Sequence, residues 1–320
     1  MTGYHQRRGI ALATTVVFVV MAARTVLGIR SAIGVLPATS LGLLLVAGGG
    51  LYFLSHVLRA VRLAVIAVPL LELTLRKAIM LHFFVAPWSL VMPMKLDELV
   101  RANELAISGG SWPRAIMTLL IDRTMDAVLL LGMILFLRAG GIGGNAALAV
   151  MLGAALLVVC ATFLALPIVL ETAQRHVFAH HYHARSAQVL RVIDTVRRLL
   201  IRGRTTIAST LPFLILSSLC ICALELTAAG LALALMGLHP GPMATISLIL
   251  RRTNESWRML VFNQPVDSQV ALLTLAFLVP LLLSWLVVAL PYLDSRTPSR
   301  REAGLGLPAG TGAAFASKEA

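Results

Sequence analysis

The sequence has few charged residues, few aromatic residues and almost no cysteine. Asp, Glu, Lys and Arg make up 13% of its 320 residues, whereas a soluble domain carries about 25%. The three cysteines all lie inside apolar runs, where a free thiol behaves as a small hydrophobe, so the chain is not a disulfide scaffold. The sequence also lacks a GxSxG, HExxH, Walker or dinucleotide-binding motif, which excludes the enzyme classes built on those motifs.

Apolar residues are abundant instead. They make up 58% of the chain, and the mean hydropathy is +0.89. A chain of this composition could not cover a globular surface with polar groups. It also differs from the polar, charge-rich segments that stay disordered. The composition therefore predicts an integral membrane protein.

Six stretches are apolar enough to cross a bilayer as helices, which takes about 20 residues each. They are residues 10–28, 35–57, 115–138, 145–170, 209–237 and 270–292. No small-residue cleavage site with a polar start follows the first stretch, so we expect a retained helix and not a signal peptide. The predicted fold is an all-α polytopic membrane protein with about six full transmembrane helices.

A further apolar stretch, at 78–94, adds one crossing too many for a consistent topology. A second crossing by 63–75 would restore the count, but 13 residues are short for a span. Pro87 and Pro93 interrupt the stretch, and a polar segment follows at 92–105. We therefore predict at least one re-entrant helical hairpin, at about 78–107. Irregular backbone at membrane depth lines an enclosed or watery cavity, so the hairpin predicts such a cavity.

Basic residues exceed acidic ones by 27 to 14, which gives a net charge of +13. Only three of the 27 are lysines. Most of the arginines flank apolar spans, and no basic stretch is interleaved with aromatics. The excess therefore fits the positive-inside rule and attraction to anionic headgroups, and it predicts no nucleic-acid partner.

The basic loops also set a predicted orientation in the cell inner (plasma) membrane. The basic groups expected on the cytoplasmic side are Arg7 and Arg8, then Arg59 and Arg62 just past the second span, the segment 171–208, and the tail 294–320. Both termini are then cytoplasmic. This orientation places Arg251, Arg252 and Arg258 on the external side of the membrane, against the positive-inside rule. We expect 1–293 to be a single membrane domain, 171–208 an amphipathic cytoplasmic linker, and 294–320 a disordered cytoplasmic tail.

Three ionisable residues lie in the middle of the third span: Asp122, Arg123 and Asp126. Their spacing places them on one sector of a helix. Charges inside a membrane are costly and mark functional sites by default. Two carboxylates and one guanidinium leave negative charge over, which calls for another cation or a polar ligand. The alternative is an internal ion pair that locks this helix to a neighbour.

A second charged group lies in the second half of the predicted hairpin: Asp97, Glu98, Arg101 and Glu104. Their i,i+3 and i,i+4 spacings suit either a solvated surface helix or a face that closes the cavity. Glu225 stands alone in an apolar run and either is neutral or pairs across helices. His176 and His180 have a zinc-like i,i+4 spacing, but no carboxylate or cysteine completes a ligand set, so we predict no metal.

The group that contains Glu98 and Arg101 resembles part of the transmembrane region of lysylphosphatidylglycerol synthases, a flippase-like family. That family has a proline, a basic residue and a GE-x-x-R step in a re-entrant helix. Pro93, Lys95, Glu98 and Arg101 match this pattern, with Asp97 in place of the usual glycine. The resemblance makes these residues candidates for contact with a substrate.

The group in the third span resembles the motif that follows in the same family, an acidic residue, Arg, two residues and Asp. Asp122, Arg123 and Asp126 match it, with Asp for the commoner Glu. The family also has a later re-entrant stretch with a Gly-rich turn and a Glu. Glu255 is the candidate counterpart of that Glu in this sequence, which lacks the Gly-rich turn. The predicted substrate-binding residues are therefore Glu98, Arg101, Asp122, Arg123 and Asp126, with Lys95, Asp97, Glu225 and Glu255 as secondary candidates.

The resemblance implies translocation of a polar-headed lipid, or of a lipid-linked precursor, across the cytoplasmic membrane. The headgroup would be anionic or glycosylated, and no cofactor or catalytic residue is expected. Bifunctional synthases of the family add a soluble aminoacyl-transferase domain, which the short tail leaves no room for, so we expect no lipid aminoacylation. Two alternatives stay open: a non-catalytic subunit that scaffolds enzymes of lipid or glycan biosynthesis, and a membrane-integral lipid-modifying enzyme.

Overall fold

A computed structural model describes residues 2–33, 38–91, 97–139, 146–180, 184–239, 241–246, 248–249, 252 and 267–293 of the chain. All regular secondary structure in these residues is helical. The helices are α1 (Thr2–Ile33), α2 (Ala38–Leu43), α3 (Gly49–Leu71), α4 (Leu75–Val85), α5 (Trp88–Val91), α6 (Asp97–Gly109), α7 (Trp112–Ala139), α8 (Ala146–Leu164), α9 (Leu166–His180), α10 (Ala184–Leu235) and α11 (Ser268–Leu293). A π-helical turn at Leu44–Gly48 joins α2 to α3.

Four helical stretches of the described chain are long and apolar enough to cross a membrane. They are Arg7–Leu27, Thr39–Leu71, Ser186–Leu235 and Gln269–Leu290. The bent pair α8 and α9 makes a fifth candidate if it counts as one span. The remaining predicted span, the third at 115–138, corresponds to α7, which is 28 residues long and carries the charged residues Asp122, Arg123 and Asp126. The prediction of an all-α, multi-pass membrane protein is confirmed.

The second span is longer than the sequence pattern indicated. We expected it to end near residue 57, with Arg59 and Arg62 in a basic loop, and this is wrong. The helix continues to Leu71, so both arginines lie inside a 33-residue span. The apolar residues after Arg62 extend the helix because they pack into the protein core, where Ile66 and Leu70 are buried.

Two predicted boundaries in the second half also differ from the structure. The predicted span 145–170 is not one straight helix, because α8 and α9 meet at Ala165 at an angle of 44°. The second half of the predicted linker 171–208 is not a separate helix, because it is continuous with the span that follows. Together they form α10, whose 52 residues measure about 78 Å at 1.5 Å per residue. A helix of that length extends well beyond a hydrocarbon core about 30 Å thick.

The predicted hairpin region is a series of short helices. With 11 and 13 residues, α4 and α6 measure roughly 17 and 20 Å, too short to cross about 30 Å of hydrocarbon. A turn at Ala86 and Pro87 breaks the first half. Residues 92–96, which include Lys95, lie outside the described residues. The short helices agree with the predicted re-entrant segment.

Helix α3 runs through the centre of the protein, and its faces contact different partners. Arg62, Ile66 and Leu70 are four residues apart and therefore share one face. Ile66 and Leu70 belong to an apolar cluster with Ile121 of α7 and Leu214 of α10, so this face carries Arg62 toward α7 and α10. On the opposite side α3 packs against α11 in the main apolar core.

The contact between α3 and α11 depends on one glycine. A Cβ atom built on Gly49 would lie 2.9 Å from the carbonyl oxygen of Ala276. A backbone atom cannot move aside as a flexible side chain can, so the two helices approach this closely only because residue 49 has no side chain.

Candidate functional site

Arg62 is the centre of a buried network of ion pairs. The residue has 0% exposure to solvent. Its Nε lies 2.8 Å from Oδ1 of Asp122, and its Nη1 lies 2.8 Å from Oδ1 of Asp126. The same Nη1 donates a hydrogen bond of 2.7 Å to the hydroxyl of Ser218. Arg62 therefore joins α3 to both α7 and α10.

Arg123 extends the network from α7 to α6. Its Nη1 lies 2.6 Å from Asp126 Oδ2, and its Nη2 lies 2.8 Å from Glu98 Oε1 and 3.2 Å from Asp122 Oδ2. Three carboxylates thus surround one guanidinium group. Two of them belong to its own helix, and the third fixes the position of α6.

Arg101 is held less tightly than the other two arginines. It is 3% exposed, yet its ion pairs with Glu98, Asp122 and Asp97 measure 3.4, 4.0 and 3.9 Å. A charged hydrogen bond is normally about 2.7–2.9 Å long. The guanidinium of Arg101 is therefore surrounded by acids but strongly bonded to none of them among the described residues.

We call these seven residues the charged cluster. Its members are Arg62, Asp97, Glu98, Arg101, Asp122, Arg123 and Asp126. Four carboxylates face three guanidinium groups, so the formal net charge is −1. The sequence called for another cation or a polar ligand beside the acids of α7, and Arg62 and Arg101 are cations in contact with them. The alternative reading of an ion pair that locks the helix to a neighbour also fits these contacts, since the ion pairs connect α3, α6 and α7.

A second ion pair lies beside the charged cluster and joins α3 to α10, two of the helices that Arg62 also connects. Arg59 Nη2 lies 2.8 Å from Glu225 Oε1, and Ser55 donates a hydrogen bond of 3.2 Å to the same oxygen. Arg59 lies three residues before Arg62, nearly one helical turn. Glu225 is therefore paired across helices, which was one of the two readings left open, but it does not contact the charged cluster directly.

Several buried nitrogen atoms of the site have no hydrogen-bond partner among the described residues. They are Nε of Arg59, Nη2 of Arg62, Nε of Arg101, Nε of Arg123 and, further along, Nε and Nη1 of Arg252. Buried donors without partners are rare because each one costs about 1–3 kcal/mol. In the charged cluster, Arg59 and Arg252, every unsatisfied buried side-chain atom of the described residues is a donor, with the exception of Glu98 Oε2. The site is therefore matched to something rich in acceptor oxygens.

With the end of α3 and the start of α7 at the membrane surface, the charged cluster would lie about halfway across the hydrocarbon core. Arg62 is nine residues before the end of α3 at Leu71, and Asp122 is ten residues after the start of α7 at Trp112. At 1.5 Å per residue these separations are about 14 and 15 Å, half of a hydrocarbon core about 30 Å thick. Binding sites of membrane transporters lie at this depth.

The structure brings together most of the residues that the sequence predicted. Glu98, Arg101, Asp122, Arg123 and Asp126 are in mutual contact, and Asp97 adjoins them through Arg101. Lys95 and Glu255 lie outside the described residues. Their predicted roles in substrate binding stay predictions.

The sequence interpretation missed Arg62, which is the most buried cation of the site. A signal was present, because the apolar residues on both sides of it (VLRAVRLAVIAVPLL) continue a helix instead of ending one. It also missed a pair of buried histidines, His56 and His82, which lie on α3 and α4. Isolated histidines in apolar runs gave no indication that they meet.

The fold and the site define a multi-pass helical membrane protein with a buried ion-pair network between its helices. The family described as "Lysylphosphatidylglycerol synthase TM region" matches residues 9–251, which is most of the chain and includes the whole charged cluster. The protein belongs to this family. No curated protein and no solved structure matches the chain.

Proposed function

We propose that this protein translocates a lipid with an anionic headgroup, or a lipid-linked precursor, between the leaflets of the cytoplasmic membrane. The observation that carries the proposal is the set of unpartnered guanidinium donors at mid-depth in a chain of this family. A charged headgroup crosses hydrocarbon only if protein groups replace its water. The charged cluster offers such groups while the acyl chains stay in the bilayer.

Arg101 is the residue best suited to receive a phosphate group. It is buried, its ion pairs are 3.4 Å or longer, and its Nε is free of hydrogen-bond partners among the described residues. Arginine binds phosphate through two parallel N–H···O bonds. Arg123, which shares Glu98 with Arg101, is placed to contribute a second guanidinium.

Glu98 is the residue best suited to move when the headgroup binds. One of its oxygens joins Arg101 to Arg123, and the other, Oε2, has no partner among the described residues. A phosphate that takes over the two guanidinium groups releases Glu98. The freed carboxylate then accepts hydrogen bonds from an amine or from the hydroxyl groups of a glycosylated headgroup.

One end of the protein collects basic residues, and we propose that it faces the cytoplasm. Arg7, at the start of α1, bonds to Glu104 and Ser108 at the end of α6. Lys77 bonds to the backbone oxygen of Ser108, also at this end. The positive-inside rule places such a face on the cytoplasmic side. Arg59 and Arg62 do not support this orientation, because they lie inside α3 and not in a cytoplasmic loop.

Leaflet exchange in proteoliposomes tests the proposal. A trace of fluorescent phosphatidylglycerol is incorporated, and dithionite quenches the probe that reaches the outer leaflet. We expect wild-type protein to expose the inner-leaflet probe, and Arg123→Gln to slow this exchange by about tenfold or more, because a charged hydrogen bond contributes about 1.5–3 kcal/mol. The mass of the recovered lipid should be unchanged, because translocation leaves the lipid intact. A lipid-modifying enzyme would instead change its mass.

Arg114→Gln is the matched control. Arg114 lies on the same helix and also forms an ion pair, to Glu72, but that pair is exposed and outside the charged cluster. Exchange by this variant should equal that of wild type. Glu98→Gln provides a second test that preserves side-chain shape. Wild-type exchange rates in both Arg123→Gln and Glu98→Gln would overturn the assignment of the site.

A scaffold for enzymes of lipid or glycan biosynthesis is the second candidate function. It is favoured by α10, whose first part carries exposed arginines and extends well past the hydrocarbon core. Such a surface suits an acidic partner or anionic headgroups. Absence of exchange by well-folded wild-type protein, for any anionic lipid, would favour this candidate.

A further inference from the structure

We propose that His56 and His82 form a proton-binding site that is coupled to binding of the anionic headgroup. The inference rests on the proposed function and adds a second ligand, a proton. The juxtaposition that carries it is the contact of two buried imidazoles within reach of the charged cluster. Neither histidine takes part in the ion pairs described above.

The two rings share one hydrogen bond. Nδ1 of His56 lies 3.3 Å from Nε2 of His82, and both residues are buried, at 4% and 1% exposure. Their ring centroids are 5.5 Å apart. One of these two nitrogens donates and the other accepts, and the tautomers of the two rings decide which is the donor. The second nitrogen of His82, Nδ1, is buried and has no hydrogen-bond partner in the part of the chain that the structure describes, so it is available to bind or release a proton.

Mostly positive groups surround the pair. Arg59, Arg101 and Arg252 act electrostatically on His56, and Arg59, Arg101 and Arg123 act on His82. The titratable and charged groups that face the pair are Tyr52 and Arg59 from α3, Arg101 from α6, Arg123 from α7, Glu225 from α10, and Arg252. Helix α11 has no charged residue between Ser268 and Leu293. Glu225, the one acid among these groups, is bonded to Arg59.

This environment links the proton to the anion. Without a headgroup, burial first and the neighbouring guanidinium groups second oppose a positive charge on either ring. A phosphate bound at Arg101 and Arg123 neutralises two of the three guanidinium groups that act on His82, so it favours protonation of the pair. Thermodynamic reciprocity requires the converse: a protonated pair binds the anion more tightly. The headgroup then crosses with a proton, and a proton gradient would bias its direction.

Calorimetric titration of the detergent-solubilised full-length protein with short-chain phosphatidylglycerol tests the coupling. Two buffers that differ in ionisation enthalpy, used at the same pH, give the number of protons taken up per lipid. We expect uptake of up to one proton by wild type and an affinity that rises by as much as about tenfold for each unit of falling pH. His82→Gln and His56→Gln should each abolish the uptake while still binding lipid.

His176→Gln is the matched control, since His176 is an exposed histidine on α9, and it should keep the uptake of wild type. If wild-type protein binds lipid and takes up no protons, the coupling is overturned. This test uses no variant, so its outcome does not depend on whether the histidine variants fold. Equal uptake by wild type and His82→Gln overturns it as well. Lipid that binds with no proton uptake refutes the coupling alone, whereas failure to bind at every pH refutes the proposed function too.

Discussion

Replacement of Arg62 by methionine tests whether the charged cluster holds the fold together. Methionine keeps much of the apolar volume and removes the charge. It breaks two ion pairs of 2.8 Å and the hydrogen bond of 2.7 Å to Ser218. Asp122, at 2% exposure, would then have only Arg123 at 3.2 Å and Arg101 at 4.0 Å. The net charge of the charged cluster would fall from −1 to −2.

Removal of one partner from a buried ion pair costs about 3–5 kcal/mol. Because Asp122 keeps its contact with Arg123, we expect the lower end, about 3 kcal/mol, which lowers the folded-to-unfolded ratio roughly 100-fold. Arg62→Met/Asp122→Asn restores the net charge to −1. It should therefore recover about 1 kcal/mol or more of the loss, since residues in one network couple by about 0.5–3 kcal/mol.

The free energy of unfolding can be measured by circular dichroism as SDS is added to protein in dodecyl maltoside micelles. Arg138→Met is the control, because Arg138 is exposed at the end of α7, and it should change stability by no more than about 0.5 kcal/mol. The reasoning is refuted if Arg62→Met is as stable as this control. It is also refuted if the double variant is no more stable than Arg62→Met.

Two further predictions concern the helix contact and the basic surface. Gly49→Ala should destabilise the protein by about 1–3 kcal/mol in a thermal unfolding assay, because the added Cβ would lie 2.9 Å from the Ala276 carbonyl oxygen and overpacking costs this much. Gly50→Ala is the control, since a Cβ at residue 50 meets open space. It should be neutral or stabilising in the same assay. Charge reversal of the exposed Arg191 and Arg202 should weaken binding to anionic liposomes in a flotation assay and leave phosphatidylglycerol exchange unchanged. Lost exchange with intact liposome binding would contradict the separation of surface and site.

Much of the fold followed from the sequence because a bilayer leaves few options. Backbone polar groups in hydrocarbon must be satisfied within a helix or a closed barrel, so long apolar runs were enough to predict helices and their approximate positions. The prolines of the hairpin region and the spacing of Asp122, Arg123 and Asp126 were local signals too. They placed the ionisable groups on one helix sector because helical geometry is fixed by three to four residues per turn.

Only the tertiary structure decided which charges meet. Arg62 read as a loop residue beside an apolar span, since a sequence pattern does not distinguish a basic flank from a buried cation. Its pairing with Asp122 spans 60 positions in the chain, and the pairing of Arg59 with Glu225 spans 166. The sequence by itself determined that buried acids needed cations. Packing of α3 between α7, α10 and α11 determined which arginines those are, because a buried charge is stable only where another element brings its partner.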